Sequence, residues 1–185
     1  MCTWMWMGLK VKVLTGVLGL LVILSLGQRM QAQTENWQSF SYPNEGFSVS
    51  FPSTPTNKTQ NVPTEKGSFE LRAYLTEVGN TALFVGVCDY GSAINDRTPN
   101  QVLQGAKQGA AENVNAHITT EQNITLGIYP GVAFEADNDT MHFSARVYLV
   151  GTTLYQALTA SPIKEPYAGT QRFLNSFQLI PRTAK

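Results

Sequence analysis

Chemistry-bearing residues are scarce in this 185-residue sequence. It has two histidines, His117 and His142, and two cysteines, Cys2 and Cys88. Two histidines far apart in the chain are too few for a dedicated zinc site, which ordinarily takes four protein ligands. There is no glycine-rich phosphate loop, no G-x-S-x-G elbow and no helix carrying a histidine pair, so the common phosphoryl-transfer, hydrolase and metalloprotease signatures are missing. Charge is sparse too, at 14% of residues, and sums to zero. Of the thirteen Lys and Arg residues only Lys10, Lys12 and Arg29 precede Gln33, which leaves ten basic against thirteen acidic residues beyond it. A mildly acidic remainder without a basic cluster argues against a nucleic-acid partner and against docking on anionic lipid.

Hydrophobic residues are plentiful, at 43%, enough for one domain with a real core. Residues 1–32 read as an export signal: Lys10 and Lys12 precede the apolar run from Val13 to Leu26, and cleavage fits after Gly27 or after Ala32. The run falls short of the ~20 residues of a spanning helix. The alternative is retention as an uncleaved N-terminal anchor. No cysteine follows the run to carry a lipid. With Cys2 removed, Cys88 has no internal disulfide partner, and its apolar strand context reads as a packed thiol.

Alternation dominates the rest. The stretch Met141 to Ala160 alternates, breaks at Gly151-Thr152 and alternates again, which predicts a hairpin with a type II′ turn. That turn sets Leu149 against Leu154, Tyr148 against Tyr155 and Ala145 against Leu158. Phe143, Ala145, Val147, Leu149, Leu154, Leu158 and Ala160 then share a face that needs a cover. The opposite face, with Ser144, Arg146, Tyr148, Tyr155 and Thr159, suits partial solvation. Further strands are expected at Gly46–Phe51, in a hairpin from Gly67 to Tyr90 turning at Gly79-Asn80, from His117 to Ile128, and over Val132–Ala136. Residues 33–45 read as a polar lead-in, Ser53–Pro63 as loop, and Tyr129-Pro130-Gly131 as a turn.

Two helices are expected. Thr98-Pro99-Asn100-Gln101 carries a capping box with proline at the first helical position, followed by Val102, Leu103, Ala106, Ala110 and Val114 at helical spacing. Gly105 and Gly109 suggest close approach of this helix to the sheet. Tyr167, Thr170, Phe173, Leu174 and Phe177 mark a closing helix, expected to cover the apolar face of the Met141–Ala160 hairpin. The sum is an α+β domain over residues 46–181: a twisted antiparallel β-sheet with helices packed on it.

Candidate chemistry is thin. His142 lies near Asp137 and Asp139 across a turn, where a loose metal site competes with a plain Asx turn. Asp89, Glu121 and Glu135 read as single solvent-facing strand acids. A Cys88–histidine pair would need a third residue to orient it, and none is marked locally. No catalytic, cofactor-binding or metal residue is assigned.

Four short segments are familiar together: Gly46-Phe47-Ser48-Val49-Ser50-Phe51-Pro52, Tyr129-Pro130-Gly131, Arg146-Val147-Tyr148-Leu149-Val150-Gly151 with Leu154-Tyr155, and Arg172-Phe173-Leu174-Asn175-Ser176-Phe177. The chain resembles a loose group of exported bacterial proteins that share the fold of the oxygen-evolving-complex protein PsbP and of DcrB-like envelope proteins. The resemblance implies an α/β/α sandwich and export to the periplasm, the cell exterior or, for a true PsbP, the thylakoid lumen. The chain departs from PsbP after Pro52, where Ser53-Thr54-Pro55 stands instead of an early tryptophan, so no binding residue is carried over. The expected function is that of an exported, non-enzymatic envelope module binding a protein or small ligand, through the half-polar sheet face or the loops. The alternatives are a PsbP-type photosystem accessory protein and a small hydrolase using Cys88 or an acid pair.

Overall fold

The computed structural model describes residues 35–64 and 67–183. The expected export signal lies outside the described residues. In chain order the elements are β1 (Gln38–Tyr42), β2 (Phe47–Phe51), β3 (Thr56–Thr64), β4 (Gly67–Val78), β5 (Thr81–Asp89), α1 (Pro99–Asn113), β6 (His117–Leu126), β7 (Tyr129–Asp137), β8 (Met141–Val150), β9 (Thr153–Pro162), α2 (Thr170–Ser176) and β10 (Gln178–Leu179). They form a seven-stranded sheet of order β3-β4-β5-β9-β8-β7-β6 and a three-stranded sheet of order β1-β2-β10. Every pairing among the described residues is antiparallel. The architecture is α+β, as the alternation and tight turns require.

The β8–β9 hairpin has the expected register: Leu149 opposes Leu154, Tyr148 opposes Tyr155 and Ala145 opposes Leu158. Gly151 takes a φ of +60° while Thr152 stays at negative φ, which is the type II′ pattern. Thr98 caps α1 as its sequence dictates: its hydroxyl accepts from the Gln101 N–H, and the Gln101 side chain accepts from the Thr98 N–H at 2.8 Å.

The covers are exchanged relative to expectation. The apolar face of the hairpin packs under α1, whose Val102 and Leu103 join Phe143, Ala145, Val147, Leu149 and Leu154 in one buried cluster. The face expected to be half-solvated is buried by the small sheet and α2. Tyr155 is 1% exposed and Tyr148 5%, clustered with Phe47, Val49 and Phe51 of β2 and with Phe173, Leu174 and Phe177 at the closing helix. Alternation of apolar and amphipathic residues identifies two faces, but tyrosine and threonine pack as readily against aromatics as against water. The large sheet is therefore a middle layer, with α1 on one side and α2 plus the small sheet on the other.

Three segments differ from expectation for a related reason. Residues 38–42, within the polar lead-in, form β1, and residues 56–64, all but the last within the expected loop, form β3; both pair on one side only. An edge strand needs no apolar face, and the threonines of β3 suit an extended backbone while the exposed Lys58 guards the edge. Tyr129-Pro130-Gly131 belongs to β7; the turn precedes it at Gly127-Ile128, with Gly127 at φ +62°. Pro130 is tolerated because the β7–β8 ladder begins only at Gly131.

Gly131 is fixed by contact. A Cβ there would lie 2.6 Å from the Tyr148 ring and 2.6 Å from the Val147 carbonyl oxygen. Gly105 meets no such neighbour: the space around it is open, so close packing does not explain it. Opposite outcomes are expected in denaturant unfolding. Gly131→Ala should destabilise by about 1–3 kcal/mol through overpacking, whereas Gly105→Ala should stabilise by about 1 kcal/mol through helix propensity.

Candidate functional site

Chemistry-bearing side chains converge at one end of the face that also carries the aromatic cluster. Glu135 and Asp137 stand two apart on β7 and so point the same way. On β8, Ser144 opposes Glu135 and His142 opposes Asp137. The four side chains meet. His142 Nδ1 lies 2.6 Å from Asp137 Oδ1, and Nε2 lies 3.0 Å from Glu135 Oε2 and 3.3 Å from Ser144 Oγ. The Ser144 hydroxyl donates to Glu135. On β9 the same two rows continue as Ser161 and Thr159, both buried. Thr159 bonds the Thr170 hydroxyl at the start of α2, at 3.4 Å. Side chains of His142, Glu135 and Asp137 are 35%, 34% and 30% exposed, while Ser144 is buried beneath them.

The geometry limits what this group can do. Both ring nitrogens of His142 face carboxylate oxygens, so a ring carrying both protons satisfies both acids at once. The acids flank opposite edges of the ring and do not converge on one point. No group of three His, Cys, Asp or Glu side chains that could hold a metal ion occurs among the described residues. Ser144 gives its hydrogen to the Glu135 carboxylate and lies buried under the group.

Of the residues weighed from sequence, Glu135, Asp137 and His142 come together and Asp139 stays outside, exposed in the turn. There Asn138 does the organising: its Oδ1 accepts from the Thr140 and Met141 N–H groups, and its Nδ2 donates to the Val114 carbonyl at the end of α1. His117 opposes Asp137 from β6, so the two histidines stand in one cross-strand row with Asp137 between them. Cys88 is elsewhere, buried with Val62 and Leu71. It opposes Leu154 of β9 while His142 opposes Ser161, so the two lie on opposite sheet faces and roughly 23 Å apart along the strand. Glu121 pairs with the buried Lys107 of α1 rather than standing alone. The sequence signal for Ser144 is its i, i+2 spacing from His142, opposite the same spacing of Glu135 and Asp137.

Asp89 pins two loops. Its Oδ1 accepts from the Gly91 N–H at 3.0 Å and from the Thr152 hydroxyl at 2.8 Å.

No protein-family model matches the chain, nor does any curated protein. Solved structures do. The solution structure of cyanobacterial PsbP (CyanoP) from Synechocystis sp. PCC 6803 superposes with a TM-score of 0.55 at 13% identity, covering 83% of this chain and 98% of that one. The fold is PsbP-like. At this identity the likeness concerns the fold alone, and it agrees with the resemblance of the four short segments. In the PsbP-like frame those segments have one physical meaning, since Phe47, Gly131, Tyr148, Tyr155 and Phe177 meet on the buried face. Among the described residues no helix is long and apolar enough to cross a membrane.

Asp89 also generates a pH prediction. Burial alone would raise its pKa, but the Gly91 N–H and Thr152 hydroxyl, then the charges of Arg182 and Arg72, outweigh it and hold the carboxyl below its ordinary 3.8. A depressed native pKa adds stability above the unfolded value, which is lost as pH falls through the native one. The stability gap between wild type and Asp89→Asn should therefore be widest near neutrality and close below about pH 4, as followed by urea melts at a series of pH values.

Proposed function

We propose that this chain is an exported, non-catalytic accessory module that acts by binding a protein partner. The observation that carries the reading is the PsbP-like fold over 83% of the chain. Support comes also from the Glu135–Asp137–His142–Ser144 group, whose hydrogen bonds are spent within itself. The partner cannot use Tyr148 and Tyr155, which are core residues. Binding falls instead to the exposed edges and loops. The outer strand β6 offers a largely exposed row from His117 to Gln122, and its hairpin tip presents Ile128 with 88% of its surface in water. A single apolar tip on a polar edge fits a protein surface with a small apolar pocket and unpaired strand groups beside it.

A second reading, a photosystem accessory subunit, is favoured by the structural likeness to a cyanobacterial PsbP. In both readings residues 1–32 direct export and are removed, or anchor the chain at the membrane.

The test is affinity purification of the tagged full-length chain from its own envelope fraction, compared with Ile128→Asp. A salt-resistant partner that wild type retains and Ile128→Asp loses is the expected result, and its identity separates the photosystem case from the rest. His142→Ala and Glu135→Gln should leave the partner and the deletion phenotype unchanged. Loss of phenotype in either variant, with an unaltered fold, would replace the accessory reading by a catalytic one.

A further inference from the structure

The large sheet ends in two outer strands, β3 and β6, and the two treat their free edges differently. An exposed edge is a template for another strand unless charge, proline or a bulge blunts it. β3 carries Lys58 and Pro63. β6 runs His117–Leu126 without lysine, arginine or proline, and its one acid, Glu121, is paired with the buried Lys107 of α1. A bulge interrupts its pairing with β7 between Ile118 and Thr120, and the turn at Gly127-Ile128 ends it. Between bulge and turn the pairing is regular, and Glu121, Gln122, Asn123 and Thr125 are exposed.

The turn decides which peptide groups of β6 face outward. In a two-residue hairpin the residues flanking the loop form a hydrogen-bonded pair, here Leu126 and Tyr129, and bonded pairs recur at alternate residues. Leu126, Ile124 and Gln122 therefore direct their N–H and C=O groups to β7, while Thr125, Asn123 and Glu121 direct theirs away from it. Asn123 stands midway between Thr119 in the bulge and Gly127 in the turn. A second β6 laid antiparallel about a two-fold axis at Asn123 matches this whole regular stretch. Asn123 then faces its own image, where one side-chain amide can donate and the other accept. Glu121 faces Thr125 in both halves, so no like charges stand opposed. Ile128, 88% exposed, comes beside the second copy's Ile118, where the bulge opens that strand.

From this self-match we infer that β6 pairs with β6 of a second copy of this chain, antiparallel and centred on Asn123, joining two seven-stranded sheets into one. The inference rests on the reading of β6 as the binding edge and names the partner of that edge. Symmetry favours a second copy over a foreign strand. The neutral stretch, its length between bulge and turn, and the apolar tip set opposite the bulge are all present in the partner by identity. About six backbone hydrogen bonds form, two from each of the facing pairs that Glu121, Asn123 and Thr125 make. One strand pair buries less than the ~1,200–2,000 Å² of a standard stable interface. The association is therefore reversible, and it is best captured in place.

The test is disulfide capture of the full-length chain in its own envelope fraction, on a Cys2→Ser background in which the buried Cys88 is the remaining native thiol. Facing residues of a hydrogen-bonded antiparallel pair have Cα atoms about 5.5 Å apart, within disulfide range. Under mild oxidation Asn123→Cys should yield a disulfide-linked homodimer, at about ten times the yield of Thr125→Cys or Lys58→Cys. Two copies of Thr125 lie roughly 14 Å apart in this register, and Lys58 lies on the other edge of the sheet. Adding Ile128→Asp to Asn123→Cys should cut the yield several-fold. Equal yields at the three positions, no dimer with Asn123→Cys, or a yield indifferent to Ile128→Asp would each overturn the inference. If capture fails while wild type retains a different protein that Ile128→Asp loses, β6 remains the binding edge and only the second copy is excluded.

Discussion

The ring of Phe177 holds the layers together. It stacks on Tyr148 at 5.8 Å with planes 9° apart, and on Phe47 at 5.6 Å with planes 20° apart. Tyr148 belongs to the large sheet, Phe47 to the small one, and Phe177 ends the closing helix, so one aromatic pile joins three elements that are remote in sequence. Phe47 also meets Tyr74 and Tyr155 edge-on at 5.3 and 6.2 Å. Each such pair adds about 0.5–1.5 kcal/mol beyond its area burial. The rest follows from this pile. Gly131 is glycine because the Tyr148 ring lies over it. Tyr155 is tyrosine because its hydroxyl donates to the Glu45 carbonyl at 2.6 Å and accepts from Arg182 at 2.9 Å, which ties the β1–β2 turn and the segment after β10 to the large sheet. Arg146 on β8 donates to the Leu174 carbonyl at 3.2 Å and to the Asn175 side chain at 2.6 Å, so the sheet supplies the cap that the last turn of α2 lacks.

What the sequence makes legible is what local chemistry decides. The II′ turn at Gly151-Thr152 fixes the β8–β9 register without reference to any other element, and the Thr98–Gln101 box fixes where α1 begins. What it hides is settled by distant partners. Nothing in Gln38–Tyr42 or Thr56–Thr64 marks an element until β2 and β4 are beside them, because an edge strand borrows its ladder from its neighbour. The exchange of covers has the same origin. Phe173, Leu174 and Phe177 make a stripe that could lie on either sheet face, and the choice is settled by distant rings, since Phe177 stacks on both Tyr148 of the large sheet and Phe47 of the small one. The two-residue strand β10 lies outside local rules altogether and exists because it pairs with Ser48 and Phe47.

The polar group is half legible for a similar reason. Proximity in sequence pairs His142 with both Asp137 and Asp139, yet the strand period carries Glu135 and Asp137 to one face and leaves Asp139 in the turn. Reading β7 and β8 as a pleated pair, instead of reading the turn between them, brings Glu135 and Ser144 into the group. Its position also explains its composition. Past the edge of the small sheet and α2 the face reopens to water, so side chains there meet solvent above and a buried serine and threonine below. Charged residues tolerate such a place when they bond one another, as these do.

Burial of both faces of the large sheet then bears on how the molecule can act. A sheet with one wet face offers a broad platform, and the amphipathic Tyr148–Tyr155 row has the composition of one. Once that row is core, no such platform remains there, and what the large sheet leaves in water is its edges, its turn tips and the end that carries the Glu135–His142 group. The outer strand β6 and its Ile128 tip are among these exposed parts.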